Sequence, residues 1–140
     1  MADIAVTAAN VAMHAAAPTT EQVTAGATIT QGQVLYKDSA DSNKYKLAIN
    51  DDTEAKAAAV GIALTPGDAN DKIWIAKRGA IDVGGALTVG EIYCLSDTAG
   101  GIAPEADVDT ADMYVTILGV ASAADQLELN ISATGIQIPT

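Results

Sequence analysis

The chain has 140 residues and a mass of 14.1 kDa, enough for one small domain. Hydrophobic residues make up 49%, much of it alanine, with 4% aromatics and no phenylalanine; each buried side chain contributes little area, so partner subunits are expected to complete the burial. The net charge of −11 excludes the basic stripe of a nucleic-acid binder and the polybasic cluster of a membrane-surface binder.

Residues 1–20, MADIAVTAANVAMHAAAPTT, are rich in alanine and nearly uncharged. Ile4, Val6, Val11 and Met13 follow a period of two better than a helical one, which predicts an extended N-terminal arm. Asp3 stands where a secretory leader would carry a positive charge, and no long apolar stretch follows, so synthesis without a signal peptide is expected. No run approaches the ~18 apolar residues of a membrane span.

Residues 21–140 read as one β domain. Predicted strands are Val34–Tyr36, Tyr45–Ala48, Val60–Leu64, Ile73–Ala76, Ile92–Ser96, Tyr114–Ala121 and Leu127–Ser132. Turn residues separate them: Asp41-Ser42-Asn43, Pro66-Gly67-Asp68, Gly84-Gly85 and Gly100-Gly101. Thr53 followed by Glu54-Ala55-Lys56-Ala57-Ala58 predicts one short helical turn with a threonine cap.

An internal repeat runs through this domain, with halves at about 24–80 and 82–136. Gly26, Ile29, Thr30, Gly32 and Val34 recur 58 positions later as Gly84, Leu87, Thr88, Gly90 and Ile92. Val60-Gly61-Ile62-Ala63 recurs as Leu118-Gly119-Val120-Ala121. Ile73, Ile75 and Gly79 then align with Leu129, Ile131 and Gly135 at 56. The fold class expected is all-β: a glycine-punctuated sandwich or barrel built by internal duplication, with an N-terminal arm and at most one short helix. The recurring Gly-x-Ala suits a strand that another backbone approaches closely.

Charge divides unevenly between the halves. Residues 1–78 hold all seven bases and nine of the acids; residues 79–140 hold nine acids and no base. Such acidity suits a protein exposed on the outside of an assembly.

Catalytic chemistry finds few residues to use. The one histidine, His14, lies in the arm, where catalytic precision is rare, and Cys94 has no second histidine to activate it. Cys94 lies in the apolar run Ile92–Leu95 and reads as a buried free thiol. One Cys and one His cannot build a usual zinc site. Asp68-Ala69-Asn70-Asp71 and the acids at 107, 109 and 112 are oxygen clusters, but neither follows the calcium-loop pattern, and they read as turns. Asp51-Asp52 reads as a solvated pair. No enzyme activity, cofactor or metal is expected. Trp74, Lys77 and Arg78 are candidate interface residues, because an outward tryptophan beside bases makes an anchor for an acidic partner.

Several segments together resemble small structural proteins of tailed bacteriophages. They are AGATITQGQVLY (25–36), KYKLA (44–48), AVGIAL (59–64), LTVGEIYCLSDTAGGIAP (87–104) and YVTILGVA (114–121). The family is that of capsid decoration, or cement, proteins. The resemblance implies a β-rich homotrimer on the outer surface of the virion shell. There it would clamp adjacent major capsid proteins, and its arm residues Ile4, Val6, Val11 and Met13 would share in the contacts. It implies production in the host cytoplasm and no partnership with nucleic acid or membrane. Alternatives are a head-fibre or tail component, or a carbohydrate-binding host-adhesion module.

Overall fold

Side-chain alternation and turn glycines produce one antiparallel sheet curled into a half-barrel. The computed structural model describes residues 3, 4, 6, 11–13 and 19–139, without the side chains of 12 and 13. Ten strands occur among them: β1 (Val11–Met13), β2 (Thr19–Thr24), β3 (Val34–Asp38), β4 (Lys44–Leu47), β5 (Ala59–Ala63), β6 (Lys72–Val83), β7 (Ile92–Leu95), β8 (Ile102–Pro104), β9 (Tyr114–Ala121) and β10 (Gln126–Gln137). The short helix α1 (Glu54–Ala57) is capped as expected, with Thr53 Oγ1 accepting from the Lys56 amide at 3.3 Å. No helix among the described residues is long and apolar enough to cross a membrane.

The strand order is β4-β3-β5-β6-β10-β9-β7-β8, and β1 and β2 both pair with β6. The order reads as one path, β4-β3-β5-β6, followed by its reverse, β10-β9-β7-β8. This is the internal repeat made visible. Val34 pairs with Ile62 and Leu35 with Gly61; 58 residues on, Ile92 pairs with Val120 and Tyr93 with Gly119. The irregularity that follows is repeated too, with Tyr36 opposite Ala59 and Cys94 opposite Ile117. The turn before each strand keeps its hydrogen bonds. Gly32 and Gly90 donate to the carbonyls of Ala63 and Ala121, both at 2.8 Å, with φ of 87° and 86°. Glycine is required there because other residues reach positive φ only at a cost.

The alignment of the last strands is corrected. Ala63 pairs with Ile75, but Ala121 pairs with Leu127, so Leu127 and not Ile131 takes the place of Ile75. The connection between β9 and β10 is a tight turn, whereas β5 reaches β6 through a longer loop. Losing residues from that loop slides β10 relative to the sequence alignment.

β6 is longer than the predicted Ile73–Ala76 and serves both halves. Its start pairs with β2, from Thr24 opposite Lys72 to Thr20 opposite Ala76. Its end, Arg78–Asp82, pairs with the start of β10. For the second half this end does what β2 does for the first. The arm boundary at residue 20 falls inside β2.

The core has two parts. One joins both halves around Val34, Ile62, Ile81, Leu95, Ile102, Leu118, Leu127 and Leu129. The other lies within the first half and contains Val23, Ile29, Leu35, Tyr45, Ile73 and Ile75. Asn50, fully buried, ties the halves: its side-chain Nδ2 donates to the Leu95 carbonyl at 2.8 Å, and its backbone carbonyl accepts from the Tyr114 amide at 2.8 Å.

Candidate interface surfaces

The N-terminal residues lie on their own chain. Ile4 donates its amide to the Ile102 carbonyl at 3.0 Å, and Asp3 accepts from Ser96 Oγ at 2.6 Å. Ile4 and Val6 pack half-buried against the shared core, and Val11 is buried within it, opposite Val83. A Cβ on Gly32 would meet the side chains of both Val6 and Val11, so these valines are seated over that turn. Val11 is therefore a core residue of its own chain. Met13 is paired in β1, but its side chain lies outside the described residues, as does His14.

The expected group of Trp74, Lys77 and Arg78 is divided. Glu21 stands opposite Ile75, and Gln22 opposite Trp74. Glu21 holds Lys77 Nζ at 3.0 Å, which places Lys77 on the Ile75 face and Trp74 on the other. Trp74 is 45% exposed, level with Gln22. Arg78 is exposed at the β6 irregularity between Thr19 and Asn130 and forms no ion pair among the described residues. The three residues share a strand but no common patch. Alternation by itself already assigns Lys77 to the Ile75 face and Trp74 to the other; the irregularity after Ala76 is what alternation does not foresee, and it sets the place of Arg78.

Most other bases are held by acids. Lys46 bonds Asp38 at 2.9 Å and Asp41 at 3.0 Å, and Lys56 bonds Asp52 at 2.6 Å. The Lys46 ammonium, with the Ala40 amide, holds the Asp38 carboxyl below the usual carboxylate range. A native pKa below the unfolded one stabilises the fold above the unfolded value, about 3.9, and this is lost as pH falls through the native value. In Lys46→Met the Asp38 carboxyl is expected to titrate closer to the ordinary range, read from its side-chain carbon shift by NMR.

Cys94 is buried, and burial pushes its thiol up to about 11. At pH 8 only about one thiol in a thousand is then ionised. A thiol reagent at that pH should label the unfolded chain rapidly and the native protein hardly at all. Equal rates would contradict the buried placement.

Asp68, Asn70 and Asp71 close a turn: the Asp68 amide donates to Asp71 Oδ2 at 2.9 Å, and Asn70 has φ of 76°. Among the described residues no group of three or more His, Cys, Asp or Glu side chains converges to hold a metal ion.

The sequence reading missed the bare apolar residues of the second half. Val120 is 42% exposed and Val89 63%, whereas Ile62, the counterpart of Val120, is fully buried. Their signal was present in the repeat: an aliphatic pair at matching positions, Val34/Ile62 and Ile92/Val120, with an arm preceding only the first half.

No protein-family model matches the chain, and no curated protein matches it.

Proposed function

We propose that the chain is a structural protein of a tailed-phage virion, a decoration protein that binds the outer surface of an assembled capsid. It stabilises the shell by clamping adjacent major capsid proteins. The observation carrying this reading is the resemblance of five segments to that family. These segments coincide with the strand-and-turn units of the half-barrel: 25–36 runs into β3, 44–48 covers β4, 59–64 covers β5, 87–104 covers β7 and β8, and 114–121 is β9. The acidic second half suits an outward-facing position on a shell.

Stabilisation follows from linkage. A protein that binds the assembled shell and not its free subunits shifts the equilibrium toward assembly. A homotrimer would add multivalency, since one seated copy raises the effective concentration of the next contact. Light scattering on the purified chain is expected to give about three times the mass of one chain. Added to expanded shells lacking it, the protein should raise their disruption temperature. Shells that neither bind it nor gain stability would overturn the reading. Exposed Trp74 beside Gln22 is the feature a carbohydrate-binding module would use, and saccharide titration of tryptophan fluorescence separates that alternative.

A further inference from the structure

The two halves present the same face to different surroundings. In the first half a row of cross-strand neighbours runs Val34, Ile62, Ala76, Thr20. Its three apolar members are fully buried in the shared core, which Ile4, Val6 and Val11 help to close. In the second half the matching row runs Ile92, Val120, Glu128, Ala80. Ile92 is half-buried and Val120 is 42% exposed.

The turn beside each row shows the same contrast. Val6 and Val11 sit where a Cβ on Gly32 would go, whereas a Cβ on Gly90, with nearly the same φ, would meet open space. Val89, next to it, is 63% exposed. At this turn the second half keeps the seat without the extended segment that covers it in the first, and its row lacks the opposite half of the sheet against which Val34 and Ile62 pack.

The row carries one acidic side chain. Glu128 is exposed in the row itself and forms no ion pair among the described residues. The nearest base along this pairing is Arg78, opposite Asn130, and it forms no ion pair with Glu128; residues 79–140 contain no lysine or arginine.

We propose that the surface formed by Val89, Gly90, Ile92, Val120 and Glu128 takes an extended segment of a different protein, one bearing alternate aliphatic side chains flanked by lysine or arginine. The aliphatic part repeats what Val6 and Val11 do at Gly32, and the basic part answers Glu128. Naming the partner rests on the reading above: on a virion the segment belongs to the major capsid protein.

The test uses the full-length protein and two assays. In the first, an eight-residue peptide of alternating valine and lysine is titrated into labelled protein and followed by amide NMR. Shifts concentrated on residues 89–92 and 115–120, and lost in Val120→Asp, are expected. No shifts, or shifts centred on the acidic residues 105–112, would overturn the surface. In the second, binding to shells is compared among wild type, Val120→Asp, Glu128→Lys and the control Ile136→Asp, which alters an exposed residue on another part of the sheet. Val120→Asp should weaken binding about tenfold or more, Glu128→Lys should weaken it and flatten its salt dependence, and Ile136→Asp should leave it unchanged. If wild type binds shells and Val120→Asp binds equally well, the surface is wrong and the function stands. If wild type binds no shell but the peptide maps to the seat, the function fails and the surface stands. If Val120→Asp instead breaks an oligomer into monomers with unchanged shell affinity, the occupant is a second copy and the proposal is overturned.

Discussion

Replacing Gly119 with alanine is expected to destabilise the protein by about 3 kcal/mol or more. An added Cβ would fall on the carbonyl oxygen of Glu128 in the neighbouring strand β10. That oxygen belongs to the backbone, so relief requires β9 and β10 to separate at the centre of the sheet. The equivalent glycine of the first half, Gly61, is confined in the same way, its Cβ lying 2.8 Å from the carbonyl oxygen of Ala76. Gly90→Ala is the contrasting variant. It imposes positive φ on alanine, which costs roughly 1 kcal/mol, but its Cβ meets nothing. Urea unfolding of the three variants should rank Gly119→Ala as most damaging. Equal losses at Gly119 and Gly90 would show that close strand approach at Gly119 costs no more than positive φ at Gly90 and would overturn the ranking.

Deleting residues 1–13 is expected to cost stability, on the order of 3 kcal/mol, even with no partner present. Val11 is a buried core residue, and Ile4 and Val6 cover the same cluster. Their removal would open one side of the core shared by Val34 and Ile62 with the second half. Thermal unfolding of the truncated protein measures this directly. An unchanged midpoint would mean that the N-terminal residues contribute nothing to the fold. Loss of shell binding in that variant is informative only beside its stability, because one deletion removes a core cover together with any arm contact.

Much of the fold was legible in the sequence because its signals are local and repeated. The paired glycines marked the turns, the aliphatic alternation marked β3, β5, β7 and β9, and Thr53 marked the helix start. Two features were less legible. β6 continues past Ala76 through Lys77, Arg78 and Gly79, a polar stretch that reads as a strand end. It remains a strand because β10 and β1 supply partners from distant parts of the chain. Similarly, β2 carries only Val23 as a buried apolar residue, and its placement comes from pairing with β6. Nonlocal hydrogen bonding overrides local composition in both. The structure separates residues that the sequence places side by side. Trp74 and Lys77 were grouped by proximity along the chain, while the cross-strand partners Gln22 and Glu21 assign them to opposite faces. Val120 and Ile62 occupy matching positions in the repeat and have opposite exposure, because Ile62 faces the core shared with the second half and the N-terminal residues, whereas nothing among the described residues covers Val120 in that way.

β6 also bears on how the molecule comes apart. A duplicated chain with a linker between its copies could lose one copy and keep the other. Here the strand that completes the first copy runs on, with no intervening loop, into the strand that opens the second. Neither copy can release its share of β6 without withdrawing a neighbour from the other. The duplication therefore yields a single cooperative unit, and the slowest-exchanging amides should gather along β6 and the strands paired with it.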